Sequence, residues 1–526
     1  VSSKQKAFAA REDILVQHAR DEGGASAPAR SAQWRLPIST KLFYGLGSIA
    51  YGAKDGAFKS FLLIFYNQVV GLPAGLVAGA ILLALVADSL LDPLIGQISD
   101  GLRSRWGRRH PFMYASALPT AGSFLLLFMP PENWSQPALF GYIVVVSILV
   151  RSCIALYEIP SSALGPELSA DYDERTSIMA YRYMFAIVGG SLLYIVTLKV
   201  FLQPEPGYPT GLLNPNGWWR YAVTASIIMA LSILVSAAGT HSRIPTFRKP
   251  VDRPRRSLGT ILGEMRETLG HGSFLALMGY GVIKFTGTGV VSALALYFAT
   301  YWWKLNSGQI AFLALDGLIG SLLALPLAPR LSRLLGKKRA AVLLLAVTVL
   351  LGLLPFALRL AGWFPANGSP ALTPALLAIQ TLYWTCGVVS LIMISAMLSD
   401  VIEDSAVKTG RRSEGLFFAA NSIIQKCVSG LGVFVSGLLL TAVSFPKGAD
   451  PATVDPAVVT RLVLVYAPTL AVLYGVGMAC LLGYRISRAQ HAKNLEILAA
   501  RDGGAPPGVA ASPEVEPAII APAVRA

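Results

Sequence analysis

Apolar positions in this chain come in long unbroken runs, not in the alternation of a half-buried strand or the single stripe of a surface helix. Twelve runs can be followed, near residues 42–70, 75–98, 112–130, 138–165, 179–202, 219–240, 272–302, 308–328, 339–361, 373–399, 414–444 and 460–484. A helix needs about 20 residues to cross a bilayer, and each run is of that order. The pattern predicts an all-α polytopic membrane protein with twelve transmembrane helices. Polar segments between the runs are short, apart from one in the middle, which divides the runs six and six. The expected organisation is an N-terminal tail (1–40), a six-helix bundle (41–240), a linker (241–271), a second six-helix bundle (272–484) and a tail (485–526). That last tail ends Ala/Pro/Val-rich and is expected to be disordered.

Composition agrees. The 526 residues are 54% hydrophobic and only 14% charged, against about 25% charged in soluble domains. Mean hydropathy is +0.56. A soluble enzyme, a secreted disulfide scaffold and a disordered protein are excluded. The four cysteines (Cys153, Cys386, Cys427, Cys480) lie inside apolar runs at irregular spacing, without the close spacing of a metal site. The five histidines (His18, His110, His241, His271, His491) lie at or outside the run ends, which argues against a histidine-based intramembrane hydrolase. The first 34 residues are polar and lack the order of a secretory signal peptide.

The net charge of +15 would suggest nucleic acid in a soluble chain. Its distribution gives another reason for it. Arg103, Arg105, Arg108 and Arg109 follow the second run. Arg243, Arg248, Lys249, Arg253, Arg255 and Arg256 follow the sixth. Arg330, Arg333, Lys337, Lys338 and Arg339 follow the eighth, and Lys408, Arg411 and Arg412 the tenth. The alternate loops 71–75 and 130–137 carry no cation. By the positive-inside rule, both termini and every basic loop face the cytoplasm, in a bacterial-type inner membrane. No nucleic-acid partner is expected. The halves echo each other: Asp100–Arg109 after run 2 parallels Arg330–Arg339 after run 8, and Asp171–Arg175 parallels Asp400–Arg412. Two six-span halves around a midplane site are the plan of major-facilitator transporters.

Ionisable groups within spans cost at least about 2.5 to 3.5 kcal/mol on insertion scales and mark function by default. Asp88 and Asp92 stand i, i+4 on one helical face. Two acids so close cannot both stay charged cheaply without a cation, which is the chemistry of a Na⁺ or H⁺ site. The bland alternative is a pair of structural acids bonded to neighbouring helices. Glu158, just before Pro160, offers a third oxygen; its alternative is an ion pair with Arg151, seven residues back on the same face. Lys426 lies well inside span 11 and needs the acids of spans 2 and 4 as partners, unless it snorkels to a span end. Asp55 and Lys59 form an i, i+4 pair beside Lys54, and Lys284 and Asp316 stand in spans 7 and 8. Tyr66, Tyr183, Tyr297, Trp302, Trp303, Tyr383 and Trp384 have the rings to stack on a sugar, or to serve as packing and interfacial belt.

Three blocks resemble the glycoside–pentoside–hexuronide:cation symporters, the melibiose-permease group of the major facilitator superfamily. They are Asp88-x-x-x-Asp92-Pro-Leu-Ile-Gly96 followed by Arg103-Ser-Arg-Trp-Gly107-Arg-Arg-His-Pro111, then Glu158-Ile-Pro-x-x-x-Leu-x-Pro166 with Asp171 and Glu174-Arg175, then Asp400-x-x-Glu403 with Lys408, Arg412-x-Glu414 and Lys426. The resemblance spans about residues 35–490. It implies that Asp88 and Asp92 bind the coupling cation, Na⁺ or H⁺, with a contribution from Glu158, where the family usually has aspartate. It places Lys426 between the cation and sugar sites. It also implies that Asp100, Arg108 and Arg109 form a cytoplasmic gating latch, an ion-pair set that holds the two halves together in one state and is broken in the other. The sugar side differs. Gly52 falls where melibiose permease has its sugar-binding aspartate, with Asp55 one turn on. Tyr183 falls at the sugar-binding arginine of span 5, with Arg182 one place early. Ser162 and Ala155 replace a tryptophan and a threonine.

The expected substrate-binding set is therefore Asp55, Arg182, Tyr183, Lys426, Asn421 and Tyr383. The expected function is cation-coupled import of a sugar or glycoside by alternating access, in a monomer with no cofactor. The chief rival is a symporter of a non-sugar solute such as an amphiphilic lipid or organic acid; a non-transporting membrane receptor would need a signalling domain. An enzyme is not expected, since there is no nucleophile–base pair or metal set. No Gly-x-x-x-x-Gly-Lys-Ser/Thr sequence supports an ATP-driven pump.

Overall fold

A computed structural model describes residues 36–169, 172–244, 272–409, 428 and 430–501. α1 comprises Ile38–Leu46 and Ser48–Gly56, and runs on to Val69 through wide π-helical turns at Ala57–Phe61 and Phe65–Val69. α2 is Ala74–Gly101, α3 His110–Leu127, α4 Gln136–Leu168, α5 Tyr172–Val196 with a π-helical end at Thr197–Phe201, and α6 Pro215–His241. α7 is Gly272–Tyr297 with a π-helical end at Phe298–Trp302. α8 comprises Ser307–Leu313 and Asp316–Leu335. α9 is Lys337–Leu360, α10 Leu372–Thr409, α11 Gly430–Ala442, α12 Pro456–Leu482 and α13 Arg488–Arg501. Among the described residues, nine of these helices are long and apolar enough to cross a membrane. α1, α3 and α11 stand where the other three runs were expected.

Local chemistry starts several of the helices. The Asn214 and Asp455 side chains accept from Asn216 N and Ala457 N, each with proline at the first helical position. Asn306 and Gln309 form a reciprocal capping box that starts α8.

The packing order is the same twice over. In the first half α2 and α3 lie against α4, α6 against α3 and α1, and α1 against α5. In the second, α8 and α9 lie against α10, and α12 against α9 and α7. α7 meets α11 where Gly432 abuts the Thr286 carbonyl. Adding six to each helix number of the first list gives the second. The halves meet through α1–α7 and α5–α8, and through α2–α11, where Gly437 leaves room for Ala74 and Ala78.

One crossing bears on the expected substrate site. At Gly52 a Cβ would lie 2.0 Å from the Ala186 carbonyl oxygen. α1 and α5 touch there backbone to backbone, so the position that carries an acid in melibiose permease admits no side chain in this chain.

The helices also outrun the apolar runs on the side of the basic loops. α10 continues to Thr409, where Lys337 Nζ lies 2.6 Å from Asp400 and Tyr484 Oη donates to Asp400 at 3.2 Å. The C-terminal tail expected to be disordered begins with helix α13. Asn494, fully buried, donates to Asp404 at 2.9 Å, and His491 Nδ1 stands 2.9 Å from Glu403. These contacts give residues 488–501 a folded partner, which apolar content alone did not predict.

Candidate functional site

A cluster of charged side chains lies midway along α1, α2, α4 and α5. Arg151 of α4 donates from Nε (3.1 Å) and NH2 (3.0 Å) to one oxygen of Asp88 on α2. Its guanidinium stands 5.1 Å above the Phe58 ring of α1, a cation–π seat that fixes its direction. Two turns further along α4, Glu158 accepts from Arg182 of α5 at 2.6 Å. Arg182 also donates to Tyr44 Oη and to Ser161 Oγ, both at 3.2 Å. Tyr44 in turn donates to the Ser161 carbonyl at 3.0 Å. The second oxygen of Glu158 is buried with no hydrogen-bond partner among the described residues. On α1, Lys59 pairs with Asp55 at 2.7 Å, and the buried Lys54 ammonium sits 4.3 Å over the Tyr51 ring. Lys54 lies within electrostatic reach of Arg151, Asp55, Asp88 and Glu158, so these groups form one charged site.

Exposure grades across the cluster. The Arg151 and Arg182 side chains are 8% exposed, Asp55 33% and Lys59 40%. The arginine pairs are the buried part of the cluster, and the Asp55–Lys59 pair is its more exposed part. An ion pair in this setting is held by mutual attraction at the cost of dehydrating both partners. It therefore responds strongly to any third charge or polar group that enters.

The structure brings together some of the expected residues and not others. Asp88, Glu158, Asp55 and Arg182 share the cluster, and Asp92 stands half-buried one turn beyond Asp88. Glu158 takes Arg182, not Arg151, as its partner, so Arg182 is the counter-ion of an expected cation-site acid. Tyr183 is 67% exposed and its neighbour Arg182 buried, as the ~100° turn between successive helical residues requires. Tyr383 belongs to the second half, edge-on to Trp384 at 5.8 Å and against Gly352 of α9. Lys284 donates to the Gly387 carbonyl at 3.0 Å. Lys426 and Asn421 lie outside the described residues.

Asp100, Arg108 and Arg109 cluster at the basic end. Arg109 pairs with Asp100 and, at 3.4 Å, with Glu167, while Arg108 pairs with Glu167 at 2.9 Å. These contacts tie α2, α3 and α4 of one half together, whereas the expected latch joins the two halves; among the described residues these ion pairs stay within the first half. Glu167 was not singled out from the sequence, although it directly follows Pro166, the last residue of the second block's Glu158–Pro166 motif.

The opposite end carries a second feature that sequence reasoning missed. Gln68 of α1 accepts from Tyr301 Oη (3.0 Å) and Ala449 N (2.9 Å) and donates to the Pro446 carbonyl (3.1 Å). Tyr297 Oη donates to Asn67 at 2.9 Å. All four bonds join the first half to the second, and Asn67, Gln68, Tyr297 and Tyr301 are at most 3% exposed. Two adjacent amides at the end of an apolar run were the available signal. Tyr297 thus joins the two halves, and Tyr66 donates to the Leu127 carbonyl at 2.8 Å within the first half.

An all-helical multi-pass bundle of two similarly packed halves, with a charged site inside the membrane, defines a transporter of the major facilitator fold. Comparison with known proteins gives the family. Residues 43–488 match the family described as MFS/sugar transport protein. The chain belongs to that family, the glycoside–pentoside–hexuronide:cation symporter group, and is a transporter, not an enzyme. An uncharacterised symporter of Synechocystis sp. is 26% identical over 89% of this chain and 97% of its own length. The isoprimeverose transporter of Lactiplantibacillus pentosus is 24% identical over 81% of this chain and 85% of its own. The crystal structure of the nucleoside transporter NupG superposes with a TM-score of 0.58 at 14% identity, covering 84% of this chain and 99% of that one. That likeness concerns the fold.

Proposed function

We propose that this protein imports a sugar or glycoside together with a cation, Na⁺ or H⁺, across a bacterial inner membrane by alternating access. The observation that carries this reading is the intramembrane cluster of Asp55, Asp88, Glu158, Arg151 and Arg182, buried at one side and accessible at the other. Asp88, Asp92 and Glu158 form the cation side. Asp55 and Arg182 form the solute side, with Tyr183 and Tyr383 and, from the sequence expectation, Asn421 and Lys426. The isoprimeverose transporter among the relatives supports a glycoside as the cargo.

The positive-inside pattern supports a cytoplasmic location for both termini and the basic loops. In that orientation the Gln68 network seals the outer end, and the structure represents a state closed to the outside. The two bundles, 41–240 and 272–484, then rock about the site, with 241–271 as their cytoplasmic linker. Asp100, Arg108 and Arg109 brace the inner ends of α2, α3 and α4 during that motion. Binding of cation and of solute each favour the other by the same factor. A single chain contains both halves and so suffices as the working unit.

The test is thermal unfolding of the purified protein with a panel of mono- and disaccharides, isoprimeverose included. Each is measured in NaCl and in choline chloride at two pH values. A ligand that binds only the folded state raises the midpoint. The reading predicts a saturable rise with at least one glycoside that depends on Na⁺ or on pH. A flat response to every sugar, with a rise from an organic acid or lipid, would contradict it.

A further inference from the structure

The acids expected to hold a coupling cation already hold fixed cations. Asp88 accepts two N–H groups of Arg151 on one oxygen. Glu158 accepts from Arg182. Lys54 is buried within electrostatic reach of both acids. Asp55 and Lys59 pair with each other, so Asp88 and Glu158 each face a fixed cation before any mobile ion enters.

Arginine does not give up its proton in proteins, so its charge is permanent. Arg151 is also held in place by the Phe58 ring. A hard metal cation binds by gathering several oxygen ligands around itself. At Asp88 that shell would have to form beside a guanidinium that occupies one of the oxygens and repels the ion.

Resting on the reading above, we propose that Arg151 sets the ion selectivity of this transporter. Its guanidinium stands at Asp88 where a coupling Na⁺ would otherwise sit, and transport proceeds without Na⁺. The driving ion is then a proton, which needs one oxygen and no coordination shell. The buried Oε2 of Glu158, with no hydrogen-bond partner among the described residues, is such an oxygen.

The experiment is equilibrium binding of ²²Na⁺ to the purified full-length protein, with choline as the counter-condition and no solute present. Wild type is expected to show no saturable binding. Arg151→Gln, which removes the charge and keeps hydrogen-bonding capacity, is expected to bind saturably, with at least tenfold more specific counts. Saturable wild-type binding in the millimolar range would overturn the proposal. So would a folded Arg151→Gln protein that binds no more than wild type. If Arg151→Gln does not fold, Arg151→Met removes the same charge, and the wild-type result retains its power to refute. The measurement uses no sugar, so failure of the glycoside assignment would show in the thermal panel and leave this result standing.

Discussion

Replacing Gln68 by alanine should release the outer seal. Gln68 makes three hydrogen bonds across the halves, from Tyr301 Oη and Ala449 N and to the Pro446 carbonyl, at 2.9 to 3.1 Å. All are buried. Each is worth about 1 kcal/mol net, and a buried amide N–H left unmatched costs about 1 to 3 kcal/mol. Tyr301 Oη retains the Ala449 carbonyl at 2.9 Å as an acceptor, which offsets part of the loss. The closed state should therefore lose about 2 to 4 kcal/mol relative to a state parted at this end. A factor of ten corresponds to about 1.4 kcal/mol, so the equilibrium should move by roughly 30- to 1000-fold. The assay is the maleimide labelling rate of a single cysteine at position 449, 7% exposed in this structure, in a background without the four native cysteines. Labelling from the outer side should accelerate by at least tenfold in Gln68→Ala. An unchanged rate, with the fold intact by circular dichroism, would refute the assignment of Gln68 as a seal.

The other predictions concern the charged site and its supports. Glu158→Gln should destabilise the protein by about 3 to 5 kcal/mol, because Arg182 keeps its buried charge and loses its partner; Glu158→Gln with Arg182→Gln should recover part of that in denaturant melts. Gly52→Asp should fail to fold or express poorly, since its Cβ meets the Ala186 carbonyl. Asp55→Asn should fold normally and raise the half-saturation of solute uptake several-fold. Removing residues 488–526 should lower the melting midpoint by taking Asn494 from Asp404 and His491 from Glu403; an unchanged midpoint would show that α13 is not bound in solution.

Apolar run lengths made the fold legible, and the intramembrane charges picked out acids, Asp88 and Glu158 among them, that the structure brings into one charged cluster. Their partners were not legible. Glu158 and Arg151 share a helical face seven residues apart, but seven residues of helix rise about 10 Å, too far for an ion pair. The partners come instead from α5 and α2, and helix adjacency is a tertiary fact that no window along one run contains. The ends of α4 and α10 were underestimated for a related reason. Hydropathy falls where Glu167 and Asp400 begin, yet the helices continue because Arg108 and Lys337 match those charges. Gly52 could be aligned with a family aspartate, but only the crossing of α1 and α5 shows why glycine is required there. The Gln68 network was overlooked because an amide at a run end reads as an interfacial residue until its partner on the other half is seen.

The most direct test of cation-driven glycoside import is concentrative uptake in proteoliposomes. Purified protein is reconstituted, loaded without solute, and given labelled isoprimeverose, or the strongest sugar of the thermal panel, under an imposed inward cation gradient. The account predicts accumulation above the external concentration that collapses when an ionophore dissipates the gradient and is lost in Asp92→Asn. Equilibration that never exceeds the external level, or accumulation indifferent to both Na⁺ and H⁺ gradients, would contradict it.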